Sequence, residues 1–118
     1  MIITLTESGT PLVDQIQDQI LGLITSGLLA ADQKLPSVRQ LASDLGVAPG
    51  TVAKAYSALE REGFLVTRTG SGTRVSVKAS ATPSAVLAAA THLVKASKSE
   101  TVDLDETIRI LRALWSES

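Results

Sequence analysis

Leu12, Val13, Ile16, Ile20, Leu23 and Ile24 recur at the spacing that lines up one face of an α-helix. Thr10 and Pro11 mark its start, since Thr can cap orphan amides and Pro at the first helical position forfeits no needed donor. Gly27 supplies the stop. A shorter copy of this logic follows in "LPSVRQLASDLG". Pro36 ends the preceding segment, Ser37 with Gln40 forms a capping box, Val38, Leu41, Ala42 and Leu45 make the apolar stripe, and Gly46 closes it. A third helix then begins almost at once, with Val52, Ala55, Tyr56 and Leu59 as its buried face and Gly63 as its end. Two short helices around a tight glycine turn, backed by a first helix, predict a helix-turn-helix.

After Gly63 the period changes from helical to alternating. "FLVTRTGSGTRVSV" contains two β-prone runs, Phe64 to Arg68 and Thr73 to Val77, around the glycine-rich tip "TGSG", which predicts a hairpin. A helix-turn-helix followed directly by such a hairpin is a winged helix, so residues 1–78 are expected to form one winged unit. "KASATPSA" is small and polar and reads as a linker.

Two further helices are expected in residues 79–118. Ser84 to Ala96 carries Val86, Leu87, Ala90, Leu93 and Val94 along one side. Asp103 with Glu106 caps a last helix in which Leu104, Ile108, Leu111 and Trp115 form a stripe, widened by Ile110 and Leu114. That apolar surface exceeds what a two-helix segment can cover by itself. Either the helices pair two copies of the chain through Leu87, Ala90, Leu93, Val94, Leu104, Ile108, Leu111 and Trp115, or they fold back onto the first helix of their own chain; the dimer is the favoured expectation. The fold class is therefore mainly α with a small β-hairpin.

Composition narrows the function. The chain has 118 residues, enough for one domain with a short appendage, and a single Tyr, Phe and Trp, so its core is aliphatic. With no cysteine and one histidine, His92, it offers neither a disulfide framework nor a zinc cluster, and no cofactor or metal is expected. No basic segment precedes an apolar core at the start, and no apolar run reaches spanning length, so a cytoplasmic protein without a membrane partner is expected. No nucleophile with a base, carboxylate pair or nucleotide loop argues for an enzyme; "GSG" between two strands is too short for a phosphate-binding fingerprint.

The net charge of −1 hides a segregated pattern. Residues 1–33 hold four acids and no Lys or Arg, residues 34–78 seven bases and three acids, and residues 79–118 four bases and five acids. A basic middle third in an otherwise acidic chain is the footprint of a DNA-contacting face. In "VAPGTVAKAY", Pro49 suits the first helical turn, and Gly50 lets the helix end, with its free amides, approach a phosphate or base edge closely. Gly50, Lys54, Ser57 and Arg61 lie opposite the Val52, Tyr56 and Leu59 face. Arg68 and Arg74 flank the wing tip, set either to meet DNA or to pair with Glu60 or Glu62. Lys34 and Lys78 are phosphate contacts or plain solubilising charges.

The run "LPSVRQLASDLGVAPGTVAKAYSALEREGFLVTRTGSGTRVSV" resembles the N-terminal winged domain of the GntR family of bacterial transcription regulators, through its LPS-x-R-x-LA entry, T-V-x-K-A-Y-x-x-L-E-x-E-G helix and G-S-G-T wing. The resemblance covers residues 10–78, and the short remainder is similar to the YtrA-type subfamily, whose two C-terminal helices pair two subunits. It implies DNA contacts at Arg39, Thr51 and Gly70. At Pro49, Gly50 and Ala53 the chain departs from the family pattern, which often has Arg, Asn or Thr there. Together with the residues' own chemistry, the candidate DNA contacts are Lys34, Ser37, Arg39, Gly50, Thr51, Lys54, Ser57, Arg68, Thr69, Gly70 and Arg74. The implied activity is that of a homodimeric regulator, a repressor in most members, on a pseudo-palindromic operator in double-stranded DNA. The alternative class is a winged helix that binds protein. Small-molecule control is left open: if an effector exists, its pocket is expected near Trp115, between the C-terminal helices and the winged domain, and no converging polar groups name its chemistry.

Overall fold

Helix α1 spans Leu12–Thr25, α2 Val38–Leu45 and α3 Pro49–Arg61; the wing strands β1 and β2 span Leu65–Arg68 and Gly72–Val75, and α4 and α5 span Ser84–Ser99 and Leu104–Glu117. This is the architecture of a computed structural model that describes residues 1–79 and 82–118. Ser80 and Ala81, in the expected linker, lie outside the described residues. The chain divides into two compact units, Met1–Thr82 and Pro83–Ser118. Among the described residues no helix is long and apolar enough to cross a membrane.

In the first unit α3 is the central element, packed against α1, α2 and β1. Its Val52, Ala55, Tyr56 and Leu59 are all buried, as the stripe predicts. Ile16, Ile20 and Ile24 of α1, Leu41 and Ala42 of α2, and Leu65 and Val75 of the wing complete an aliphatic core with Leu29 and Leu35. Leu65 and Val75 are opposite each other in the antiparallel ladder, so the wing's root is sewn into the core while its tip is free.

The start of α1 differs from its expected form. Pro11 is the N-cap and no side chain caps the helix; the Thr10 carbonyl instead accepts from Gln15 Nε2 at 2.8 Å. Leu12 is exposed and Gln15 takes the buried place in the stripe. The reason is an N-terminal strap. Gln15 accepts from Thr6 N–H at 2.8 Å and donates to Thr6 C=O at 2.9 Å; Gln19 does the same for Thr4 at 2.9 and 2.7 Å. Four helical residues rise about 6 Å, close to the roughly 6.6 Å of two strand residues, so two glutamine amides one turn apart stand in for a neighbouring strand. Ile3 and Leu5, alternating with the clamped residues, pack against the core.

Smaller departures have local causes. Ser37 Oγ accepts from Gln40 N–H at 3.1 Å, but the Gln40 side chain turns to Asp44 at 2.8 Å, leaving only half of the capping box. The hairpin is shorter than expected, because Phe64 N–H turns back to the Leu59 carbonyl at 2.9 Å, so that its pair with Ser76 keeps only the in-register bond from Ser76 N–H to the Phe64 carbonyl at 2.9 Å. Its tip is closed by Ser71 N–H on the Arg68 carbonyl at 3.0 Å, with Gly70 at φ 81, the positive φ that the third position of a type II turn requires.

In the second unit α4 runs three residues beyond its expected end, to Ser99. Thr101 at φ 59 turns the chain, and Asp103 caps α5 through Glu106 N–H at 2.8 Å. The two helices meet at this joint, where the buried Thr107 hydroxyl donates to Ser97 Oγ at 3.1 Å. Away from it the apolar side chains stay open: Val94, Leu104, Ile110, Leu111, Leu114 and Trp115 are all exposed, Trp115 at 84%.

Candidate nucleic-acid interface

The sequence LGVAPG builds the turn that joins the end of α2 to the start of α3. Gly46, at φ 69, ends α2 in the left-handed conformation, Val47 N–H returns to the Ala42 carbonyl at 3.0 Å, and α3 begins two residues later. Pro49 holds the first position of α3, and the N-cap, Ala48, gives it no side-chain hydrogen bond. The Gly50 N–H has no carbonyl within its own helix to meet, and nothing lies within 4 Å of the place where a Cβ on Gly50 would be.

The electrostatics of these starts are one-sided. In the same unit α1 carries Asp14 in its first turn, whereas α2 and α3 carry no acid in theirs. Their positive dipole ends are therefore not neutralised from within the helix. Arg39 lies exposed in the first turn of α2, where a cation is mildly unfavourable for the helix. Such an arrangement favours an external anion at both starts.

Lys54, Ser57 and Arg61 are exposed along α3, with Thr51 half-buried above them. Lys54, Ser57 and Arg61, with Ala53, share a groove with Asp14 and Gln17 of α1. Sequence reading missed this flank, although Asp14 and Gln17 are one turn apart and off the apolar stripe.

At the wing, Thr69 and Gly70 are exposed at the tip. The segment before α2 adds to the sheet: Asp32 N–H meets Val75 C=O at 2.9 Å, Val75 N–H meets Gln33 C=O at 2.9 Å, and Leu35 N–H meets Thr73 C=O at 2.8 Å. Lys34 forms a backbone bridge with Arg74, and its flexible Cε would lie 3.1 Å from a Cβ on Gly72, whose φ of 73 is what favours glycine there. Register puts Val66, Arg68, Gly72 and Arg74 on the face opposite buried Leu65 and Val75. Arg68, Arg74 and Lys78 line one hollow, and Arg74 Nη1 donates to the Asp32 carbonyl at 2.9 Å. Glu60 receives the Thr67 hydroxyl. The candidates thus fall into two groups: Ser37, Arg39, Gly50, Thr51, Lys54 and Ser57 at the helix starts and along α3, and Lys34, Arg68, Thr69, Gly70 and Arg74 on the wing.

Tyr56 connects this surface to the core. Its ring is 3% exposed, its hydroxyl donates to the Pro36 carbonyl at 2.8 Å, and burial pushes its pKa up to about 12. Core placement agrees with the stripe; the polar link to the start of α2 was not legible in it.

Residues 12–75 match the family model described as bacterial regulatory proteins, gntR family. The chain belongs to the GntR family. It is 45% identical over 75 residues to the HTH-type transcriptional repressor YtrA of Bacillus subtilis, a match covering 64% of this chain and 58% of that protein. To the HTH-type transcriptional regulator Rv1152 of Mycobacterium tuberculosis it is 36% identical over 105 residues, 89% of this chain and 86% of the relative. Among solved structures, YtrA from Sulfolobus acidocaldarius, a GntR-family transcription factor, superposes with a TM-score of 0.61 at 42% identity, covering 82% of this chain and all of that one. The AraR DNA-binding domain in complex with operator ORX1 superposes with a TM-score of 0.55 at 32% identity, over 64% of this chain and 92% of that one. The GntR winged helix-turn-helix is a DNA-binding transcription-regulator domain, not an enzyme, and the short chain is of the YtrA type.

Proposed function

We propose that this GntR protein acts in the cytoplasm as a homodimeric repressor, binding a pseudo-palindromic operator. The observation that carries the DNA side of this reading is the pair of acid-free helix starts, α2 and α3, with exposed Arg39 and Lys54 beside them. The starts and the cations offer hydrogen-bond donors and positive potential to phosphates, Lys54 and Thr51 reach base edges, and the wing tip enters beside them. Lys34, Arg68 and Arg74 serve phosphates along the wing.

The dimer reading rests on the open apolar surface of α4 and α5. Seven large apolar side chains there are close to half exposed or more, a patch that water disfavours and a second copy would cover. Leu87, Ala90, Leu93, Val94, Leu104, Ile108, Leu111 and Trp115 supply the contact. Repression is taken from the name of the Bacillus subtilis relative. Two-fold symmetry in the protein demands inverted half-sites in the operator.

Selection of bound fragments from sheared host genomic DNA, followed by sequencing, tests the reading. An inverted repeat near promoters is expected. Retention without an enriched motif, or no retention, contradicts it. If each subunit sets about four cations on phosphates, log K should fall with log salt at a slope near about −7.

A further inference from the structure

Leu35, Pro36 and Ser37 are consecutive, and each is bound to a different DNA-facing element. Leu35 N–H holds the wing through the Thr73 carbonyl at 2.8 Å, the Pro36 carbonyl receives Tyr56 of α3 at 2.8 Å, and Ser37 caps α2 through Gln40 N–H at 3.1 Å. Arg39 follows two residues later. The tripeptide is the joint at which wing, α2 and α3 are fixed against one another.

We infer that Tyr56 is a positioning residue for DNA binding: its hydroxyl, by holding the Pro36 carbonyl, sets Ser37 and Arg39 at the distance from α3 that lets both helix starts meet one DNA duplex. Packing alone does not call for this hydroxyl. Phenylalanine fills the same core space, and the half-buried Pro36 could give its carbonyl to water. A buried hydroxyl must be desolvated, and what it returns is one defined geometry. The geometry it defines lies between the recognition helix and the loop bearing Arg39. Lys54, two residues before Tyr56 on the exposed face of the same helix, does not depend on the Pro36 link for its position. The inference rests on the proposed role of Arg39 in DNA binding.

A double-mutant cycle on the full chain separates positioning from simple support. Affinity is read by fluorescence anisotropy at near-physiological salt, on a labelled duplex carrying the sequence enriched by genomic selection, after thermal melts show each variant folded. Y56F should bind about five- to tenfold more weakly, the scale of one lost hydrogen bond. R39A should cost about tenfold or more in the wild type but no more than about twofold in Y56F, whereas K54A should cost the same factor in both. Equal R39A factors in the two backgrounds, or wild-type affinity in Y56F, overturns the inference. R39A without effect in the wild type overturns instead the role of Arg39, and the inference falls with it. If Y56F does not fold, S37A loosens the same helix start without touching the core; its coupling with R39A is expected, and additivity overturns the inference.

Discussion

Replacing Gly50 with alanine sets helix stability against DNA binding. In the free protein the added Cβ meets nothing within 4 Å, and Gly50 lies in the first turn of α3, so no strain opposes the change. Alanine lowers the entropy of the unfolded chain and favours the helix, by about 0.3–0.8 kcal/mol at a helix end against the roughly 1 kcal/mol of a helix interior. For a unit of this size that raises the melting temperature by about 2–5 °C. The same Cβ stands on the open side where the Gly50 N–H and the positive end of α3 are proposed to approach DNA. Holding them off by a methyl group should weaken operator binding about tenfold, comparable to the loss of one hydrogen bond to a charged group. Thermal unfolding and anisotropy titration on one preparation give both numbers. A raised melting temperature with unchanged or tighter binding would refute the close approach of α3.

Gln15→Ala should cost about 2 kcal/mol and release the strap, because Thr6 N–H, Thr6 C=O and Thr10 C=O lose one shared partner; hydrogen exchange at Thr4 and Thr6 should accelerate while that of α3 does not. The Tyr56 phenol, with its pKa raised from 10.0 to about 12, makes a contribution that is whole below pH 10 and lost as pH rises towards 12; melts across that range should show the loss in the wild type and its absence in Y56F. Leu111→Glu or Trp115→Ala should turn a dimer into a monomer by sedimentation, with the winged unit's melting transition intact and affinity for the full inverted repeat at least tenfold lower, on the order of the avidity lost.

The winged unit was legible because each of its devices is local. Apolar spacing gave α1, α2 and α3, glycines gave the turns, and alternation gave the wing, with ends correct to within a few residues. Three things escaped because they join residues far apart in sequence. Gln15 and Gln19 read as exposed helix polar residues; only the strap at Thr4 and Thr6 gives them partners. Gln33 to Leu35 carries no strand pattern of its own and lies along β2, after a turn at Asp32 (φ 64), because β2 offers it an edge. The Tyr56 hydroxyl finds Pro36 twenty residues away. At the interface, the exposed face of α3 was readable from its wheel. The division of labour between Arg68 and Arg74 was not, since Arg74 is drawn to the Asp32 carbonyl by a contact that register alone creates.

The central claim is that DNA lies against the starts of α2 and α3 and the tip of the wing. Titrating the isotopically labelled protein with its enriched duplex and following backbone amides by NMR tests this most directly. The largest shifts are expected at Ser37, Arg39, Gly50, Thr51 and Gly70, with little change at the strap residues Thr4 and Thr6. Shifts concentrated on the strap or on α5, with Gly50 and Arg39 unmoved, would contradict it.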